Sequence, residues 1–235
     1  MPDGPWIMTQ TWHDLLFAHW PIDKAGLAAK IPPALTLDLY DGDAWVGIVP
    51  FHMTNVAPRG VPALPRVSAF PELNVRTYVH VDGRPGVYFF SLDAGNRLAV
   101  AVARTLFHLP YFLARMRVDD RGGVIHYISE RSRKDSGAHL AVTYEPSGSI
   151  FHPRQSSLEY FLTERYCLYT VDGAGRAVRL EIHHPPWSLQ PATATFHVNT
   201  MADPFGIHLP GTAPLLHFVK RQDMVAWPLT DAHTR

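Results

Sequence analysis

The chain has 235 residues, 46% of them hydrophobic, and its 21 basic and 21 acidic side chains cancel to a formal net charge of zero. That length can bury a sizeable core without a disulfide or metal staple, and the lone Cys167 has no internal partner. Neutrality argues against nucleic acid or an anionic membrane as the main partner, and no apolar run approaches a membrane span.

The N-terminal MPDGPWIM shows no basic stretch followed by an apolar one, so no secretory signal is expected and the cytoplasm is the default compartment. Asp23 can cap a short helix through Ile31, stopped by Pro32 and Pro33. The alternating run Leu35 to Tyr40, the Asp41-Gly42 pair and the run Ala44 to Thr54 make a hairpin pattern. The prolines of 57–65 mark an ordered loop rather than a boundary, which leaves 1–235 as one domain. Leu73 to Val81 alternates, and Asp82-Gly83 turns it into a second strand, Val87 to Leu92.

Asn96 can cap a helix to His108, with Leu98, Val102 and Leu106 as its apolar stripe and Pro110 as its stop. Further strands are expected at 124–131, 138–145, 166–171, 177–183, 193–198 and 214–221. Ser156 or Ser157 can cap a turn through LEYFLTERY, and the glycines of DGAGR at 172–176 form a turn between strands. The pattern predicts an α+β chain that is mainly β: an antiparallel barrel or cone with two or three flanking helices. Unpaired strand edges would suit a homodimer.

Particular stretches carry a resemblance. FPELNVRTYV (70–79) and ARTLFHLPYF (103–112), then FLTERYCLYT (161–170), IHHPPWSLQ (182–190) and LLHF (215–218), resemble the YqjF-like family of conserved bacterial proteins of unknown function. That family is similar in fold to acetoacetate decarboxylase. The decarboxylase pattern is an Arg-Glu pair, a short apolar stretch, then Pro-Lys-Lys. Here Arg104 and Pro110 match, while Tyr111 and Phe112 stand where the lysines would be. Glu72 matches an active-site glutamate; a second would fall near Ile48 or Val49, and an arginine near His13. The resemblance implies an acetoacetate decarboxylase-like fold around a buried pocket, without the Schiff-base lysine.

Residue chemistry narrows the function further. The only lysines are Lys24, Lys30, Lys134 and Lys220. Lys220 has an adjacent cation, Arg221, which could lower its pKa as a Schiff-base amine needs; the other reading is a surface lysine. Glu72, Asn74 and Arg76 share one strand face at steps of about 7 Å, which either line a cavity or form a solvated outer row. In the cavity reading Glu72 transfers protons, Arg76 and Asn74 contact an anionic substrate, and Arg104 clamps a carboxylate. Tyr111 would hydrogen-bond the reacting oxygen; otherwise it packs as an aromatic where helix meets strand.

No metal is expected. No His-Glu-x-x-His stretch or Cys pair occurs, and the adjacent His183 and His184 read as structural. No nucleophile elbow or dinucleotide loop occurs, so no cofactor is expected either. Glu164-Arg165 reads either as an inward ion pair or as helix-end charges. The leading expectation is an enzyme acting on a small carbonyl or carboxylate compound by proton transfer without a Schiff base, of isomerase, hydratase or cyclase type. The alternative is a ligand-binding or sensor protein on the same fold.

Overall fold

The computed structural model describes residues 4–64, 68–97, 100–101, 107–131 and 137–233. Its elements in chain order are β1 (Met8–Ile22), α1 (Lys24–Ala28), β2 (Thr36–Leu37), β3 (Ala44–Pro58), β4 (Phe70–Val81), β5 (Arg84–Ala94), β6 (Tyr111–Arg121) and β7 (Val124–Arg131). Then follow β8 (His139–Pro146), α2 (Leu158–Thr163), β9 (Cys167–Val171), β10 (Ala177–His183), β11 (Gln190–Asn199) and β12 (Leu215–Asp231).

All strands belong to one 12-stranded sheet. β12, β1, β3, β4 and β5 lie side by side in antiparallel pairs and form a spine. Its outer edges are joined twice. β9 and β10 link the start of β5 to the end of β12. β6, β7, β8 and β11 link the end of β5 to the start of β12. The sheet thus closes into two lobes that share the spine, the mainly β barrel that the strand pattern predicts.

The central spine strands β1, β3 and β4 therefore have an interior on both faces over most of their length, whereas β12 keeps exposed residues such as Lys220. On β1, Leu16, Ala18 and Trp20 pack into one lobe with Ile125, Tyr127 and Tyr144, while Leu15 and Phe17 face the other. β4 does the same: Leu73 and Val75 enter the packed lobe, and Glu72, Asn74 and Arg76 the second one. Strand alternation at period two is what sorts them.

Local chemistry sets the turns. Asp82 and Gly83 both take positive φ, 52° and 77°, the geometry of a two-residue I′ hairpin between β4 and β5. Asp23 Oδ2 accepts the Gly26 amide at 2.7 Å, but α1 ends at Ala28, one turn short of the predicted stop. Ser157 caps α2. Gly86 lies so close to β9 that an added Cβ would stand 2.7 Å from Tyr169 Cε2 and 2.8 Å from the Cys167 carbonyl oxygen. Of the helix predicted from Asn96 to His108, residues 97, 100, 101 and 107 are helical, and the Val100 amide donates to the Asn96 carbonyl. Arg104 falls outside the described residues.

Three elements differ from the sequence expectation. The run 35–40 is not the partner of β3: only β2 forms there, and it pairs with β4, because both edges of β3 are taken by β1 and β4. The sequence pattern does not announce β1, which is buried on both faces and broken by a bulge where Asp14 adopts φ 52°. Nor does it announce β6, whose run RMRVDDR is mostly charged and only partly covered.

Candidate functional site

The second lobe is hollow. A cavity of about 190 Å³ lies inside it, walled by apolar side chains from the spine (Leu15, Phe17, Phe51, Leu92) and closed from the far side by Leu180 and Trp187. Polar groups enter this wall at few points. The β4 row supplies Glu72, Asn74 and Arg76, which are only 4%, 5% and 9% exposed. The row is therefore inside the protein, not a solvated face.

Glu72 holds the end nearer β6. Tyr111 Oη donates to Glu72 Oε2 at 2.8 Å, and Tyr127 fixes the same residue's backbone by donating to its carbonyl at 2.7 Å. Burial raises the Glu72 pKa to about 7; the Tyr111 hydrogen bond opposes this, and the charge of Asp93 adds to it. Burial, then Glu72 itself, pushes the Tyr111 phenol well above its ordinary value, so it stays protonated. The result is an acid half-ionised near neutrality, held in a mostly apolar site by a fixed donor. Tyr111 thus points its proton at the carboxyl.

Arg76 holds the other end. Its Nη2 donates to the Leu162 carbonyl at 2.9 Å and to Tyr78 Oη at 3.2 Å, and its guanidinium lies over the Phe17 ring, 5.2 Å from the centroid. No carboxylate among the described residues pairs with it, and its Nε is buried without a partner. His19 sits alongside, bonded to Tyr78 at 2.7 Å; burial first, then Arg76, lowers its pKa well below the ordinary value, so it adds no charge. Arg165 also lines the cavity, but Asp38 neutralises it at 2.6 Å. Asn74 lies between the two ends, its Oδ1 buried without a partner.

Glu164 and Arg165 do not pair with each other. Glu164 accepts the Trp187 amide at 2.9 Å and the Tyr166 hydroxyl, while Arg165 turns to Asp38. His184 also lines the cavity, stacked on Tyr166 with ring centroids 4.7 Å apart. It and Arg165 come from segments distant in sequence, and no local pattern marks them as neighbours of Glu72. Lys220 is outside. Its side chain is 65% exposed and bonds Asp14 at 2.6 Å, which raises its pKa and so opposes nucleophilic use. His13, near where the decarboxylase pattern has an arginine, bonds Thr54 away from the cavity wall. Among the described residues, no group of three or more His, Cys, Asp or Glu side chains could hold a metal. No described helix is long and apolar enough to cross a membrane.

Comparison with known proteins places the architecture. MppR, an enduracididine biosynthesis enzyme solved with pyruvate, superposes with a TM-score of 0.67 at 12% identity, covering 99% of this chain and 92% of its own. Acetoacetate decarboxylase from Legionella pneumophila gives a TM-score of 0.64 at 13% identity, over 98% and 93% of the two chains. At these identities the likeness is one of fold. In sequence, the uncharacterized protein YqjF of Bacillus subtilis (strain 168) is 51% identical over 229 residues, 97% of this chain and 94% of that one. Residues 9–223 match the model of the DUF2071 family, described as an uncharacterized conserved protein, and the chain belongs to that family on the acetoacetate decarboxylase-like fold.

Proposed function

We propose that this chain is a small-molecule enzyme that moves a proton with Glu72 inside the apolar cavity, on a small carbonyl or carboxylate compound, without a Schiff base. The observation that carries this is the pairing, in one cavity, of an acid raised to about 7 with a buried guanidinium that has no anionic partner among the described residues. A general acid–base works best with its pKa near the working pH, and a buried unpaired cation is costly unless a ligand answers it. Tyr111 positions the Glu72 carboxyl, Asn74 orients the ligand, and Arg76 takes its anionic group; Arg104 stands as a proposed second contact.

No described lysine lines the cavity, which is why proton transfer is favoured over an imine. Abstraction of a proton next to a carbonyl serves an isomerase when the proton returns at another carbon, a dehydratase when it leaves with a β-hydroxyl as water, and a cyclase when the enolate carbon attacks a second carbonyl of the same molecule and the proton ends on that oxygen. Structural neighbours hold pyruvate and a condensation product of pyruvate and imidazole 4-carboxaldehyde, which makes oxo acids the first probes.

The test is hydrogen–deuterium exchange beside the ketone of a panel of oxo acids, followed by proton NMR in deuterium oxide. Wild type should accelerate exchange for at least one member, and Glu72→Gln should slow it by roughly 10²- to 10⁴-fold. Binding without exchange by any member would instead mark a ligand-binding protein. Borohydride added during the reaction should leave no mass adduct on any lysine, and an adduct would overturn the non-covalent route.

A further inference from the structure

The two polar ends of the cavity stand well apart. Four residues of extended strand separate the Cα atoms of Glu72 and Arg76 by roughly 13 Å. The Arg76 guanidinium is drawn onward, toward Tyr78 and the Leu162 carbonyl, away from Glu72. The charge that acts on Glu72 is that of Asp93, not Arg76. Between the ends the wall is mostly apolar, with Leu15, Phe17, Phe51 and Trp187 facing the space and Asn74 as the polar group among them. A ligand that meets both groups must span that gap with a mainly hydrocarbon body that passes Asn74.

Its charge is fixed by the same wall. Asp38 neutralises Arg165, His19 is uncharged, and among the described residues Arg76 is the cation that faces inward without an anionic partner. Three of the five guanidinium hydrogens have no hydrogen bond among the described residues: those on Nε and on Nη1, the latter not sealed off from open space. The Nη1 hydrogens can be donated to a carboxylate oxygen, a charge-assisted bond, while Nη2 stays on Tyr78 and the Leu162 carbonyl. The space, about 190 Å³, exceeds the roughly 150 Å³ that admits benzene and suits a ligand of about ten non-hydrogen atoms.

We infer that the substrate is a carboxylic acid with a mainly apolar, chain or aryl body, whose carboxylate sits on Arg76 and whose reacting carbonyl lies at the γ position or beyond, beside Glu72. This rests on the proton-transfer reading and sharpens it. It sets pyruvate-sized acids aside, because their ketone and carboxylate are adjacent and cannot reach both ends at once.

The experiment measures binding by calorimetry at pH 6, where Glu72 is mainly protonated, with pyruvate, 5-oxohexanoate, 4-oxo-4-phenylbutanoate and the methyl ester of the last. The two longer acids should bind at least tenfold more tightly than pyruvate, and the phenyl acid at least tenfold more tightly than its ester. Arg76→Met, which keeps an apolar side chain of similar reach, should bring acid and ester to equal affinity, with the fold checked by circular dichroism. Pyruvate binding as tightly as the longer acids, no binding by any acid, or an acid preference that survives Arg76→Met would each overturn the inference. Glu72→Gln separates it from the proton-transfer reading. The variant should keep the acid preference while losing exchange; kept preference with undiminished exchange sinks proton transfer by Glu72 alone, and lost preference sinks the substrate class.

Discussion

Replacing Glu72 by Gln should make the protein more stable above neutral pH, although it removes a buried and hydrogen-bonded side chain. The ordinary carboxyl value is 4.5, and burial lifts it to about 7 in the fold. At 1.36 kcal/mol per unit, ionising Glu72 in place costs roughly 3 kcal/mol. The sign follows from proton counts. Between 4.5 and 7 the unfolded chain has lost this proton and the folded chain retains it, so stability falls as pH rises through that window and levels off above 7. Below 4.5 both states are protonated and the contribution is complete.

Gln keeps a neutral side chain of the same length that can still accept from Tyr111, so the variant lacks this descent. Urea unfolding at half-unit steps from pH 4 to pH 8.5 should show the two proteins close together at the acid end. At the alkaline end they should separate by roughly 3 kcal/mol, a shift of about 6–12 °C in melting temperature for a domain of this size. Profiles that run parallel across the whole range would refute the reasoning. Glu72 would then ionise in the fold as it does in water, and the cavity could not be dry around it.

Tyr111→Phe removes the hydrogen bond that opposes burial, so the Glu72 pKa should climb further above 7, read from the carbonyl carbon shift of labelled glutamate during a pH titration; an unchanged or lowered value would contradict the assigned contact. Gly86→Ala forces a methyl against the Cys167 carbonyl and the Tyr169 ring, and because a backbone atom cannot swing aside, it should cost about 1–3 kcal/mol of unfolding free energy in urea. A neutral outcome would mean that β5 and β9 are not held as closely as their pairing requires.

Much of the fold is legible along the chain wherever a strand has one dominant face or an unambiguous turn. The Asp82-Gly83 pair gives away the β4–β5 hairpin, and 124–131 and 177–183 appear as strands at the expected residues. Legibility fails for a stated reason at β1, where both faces are buried and no alternation survives, and at β6, whose charges mask its pairing. For the site, period two already groups Glu72, Asn74 and Arg76 on one face. Whether that face is wet or dry depends on β9, β10 and β12 arriving from far down the chain, and no local window contains them. The same distance hides His184 and Arg165, which reach the cavity wall only through closure of the second lobe.

Because β4 is clothed on both sides, neighbouring positions answer to different masters. A change at Leu73 or Val75 disturbs the solid half of the molecule and should surface as altered folding, whereas one residue away, at Asn74 or Arg76, the hollow half alone registers it. Evolution can therefore re-tailor the chamber on even positions of β4 while the odd positions hold the frame still. Such a scaffold lets one backbone host many chemistries without relearning how to fold.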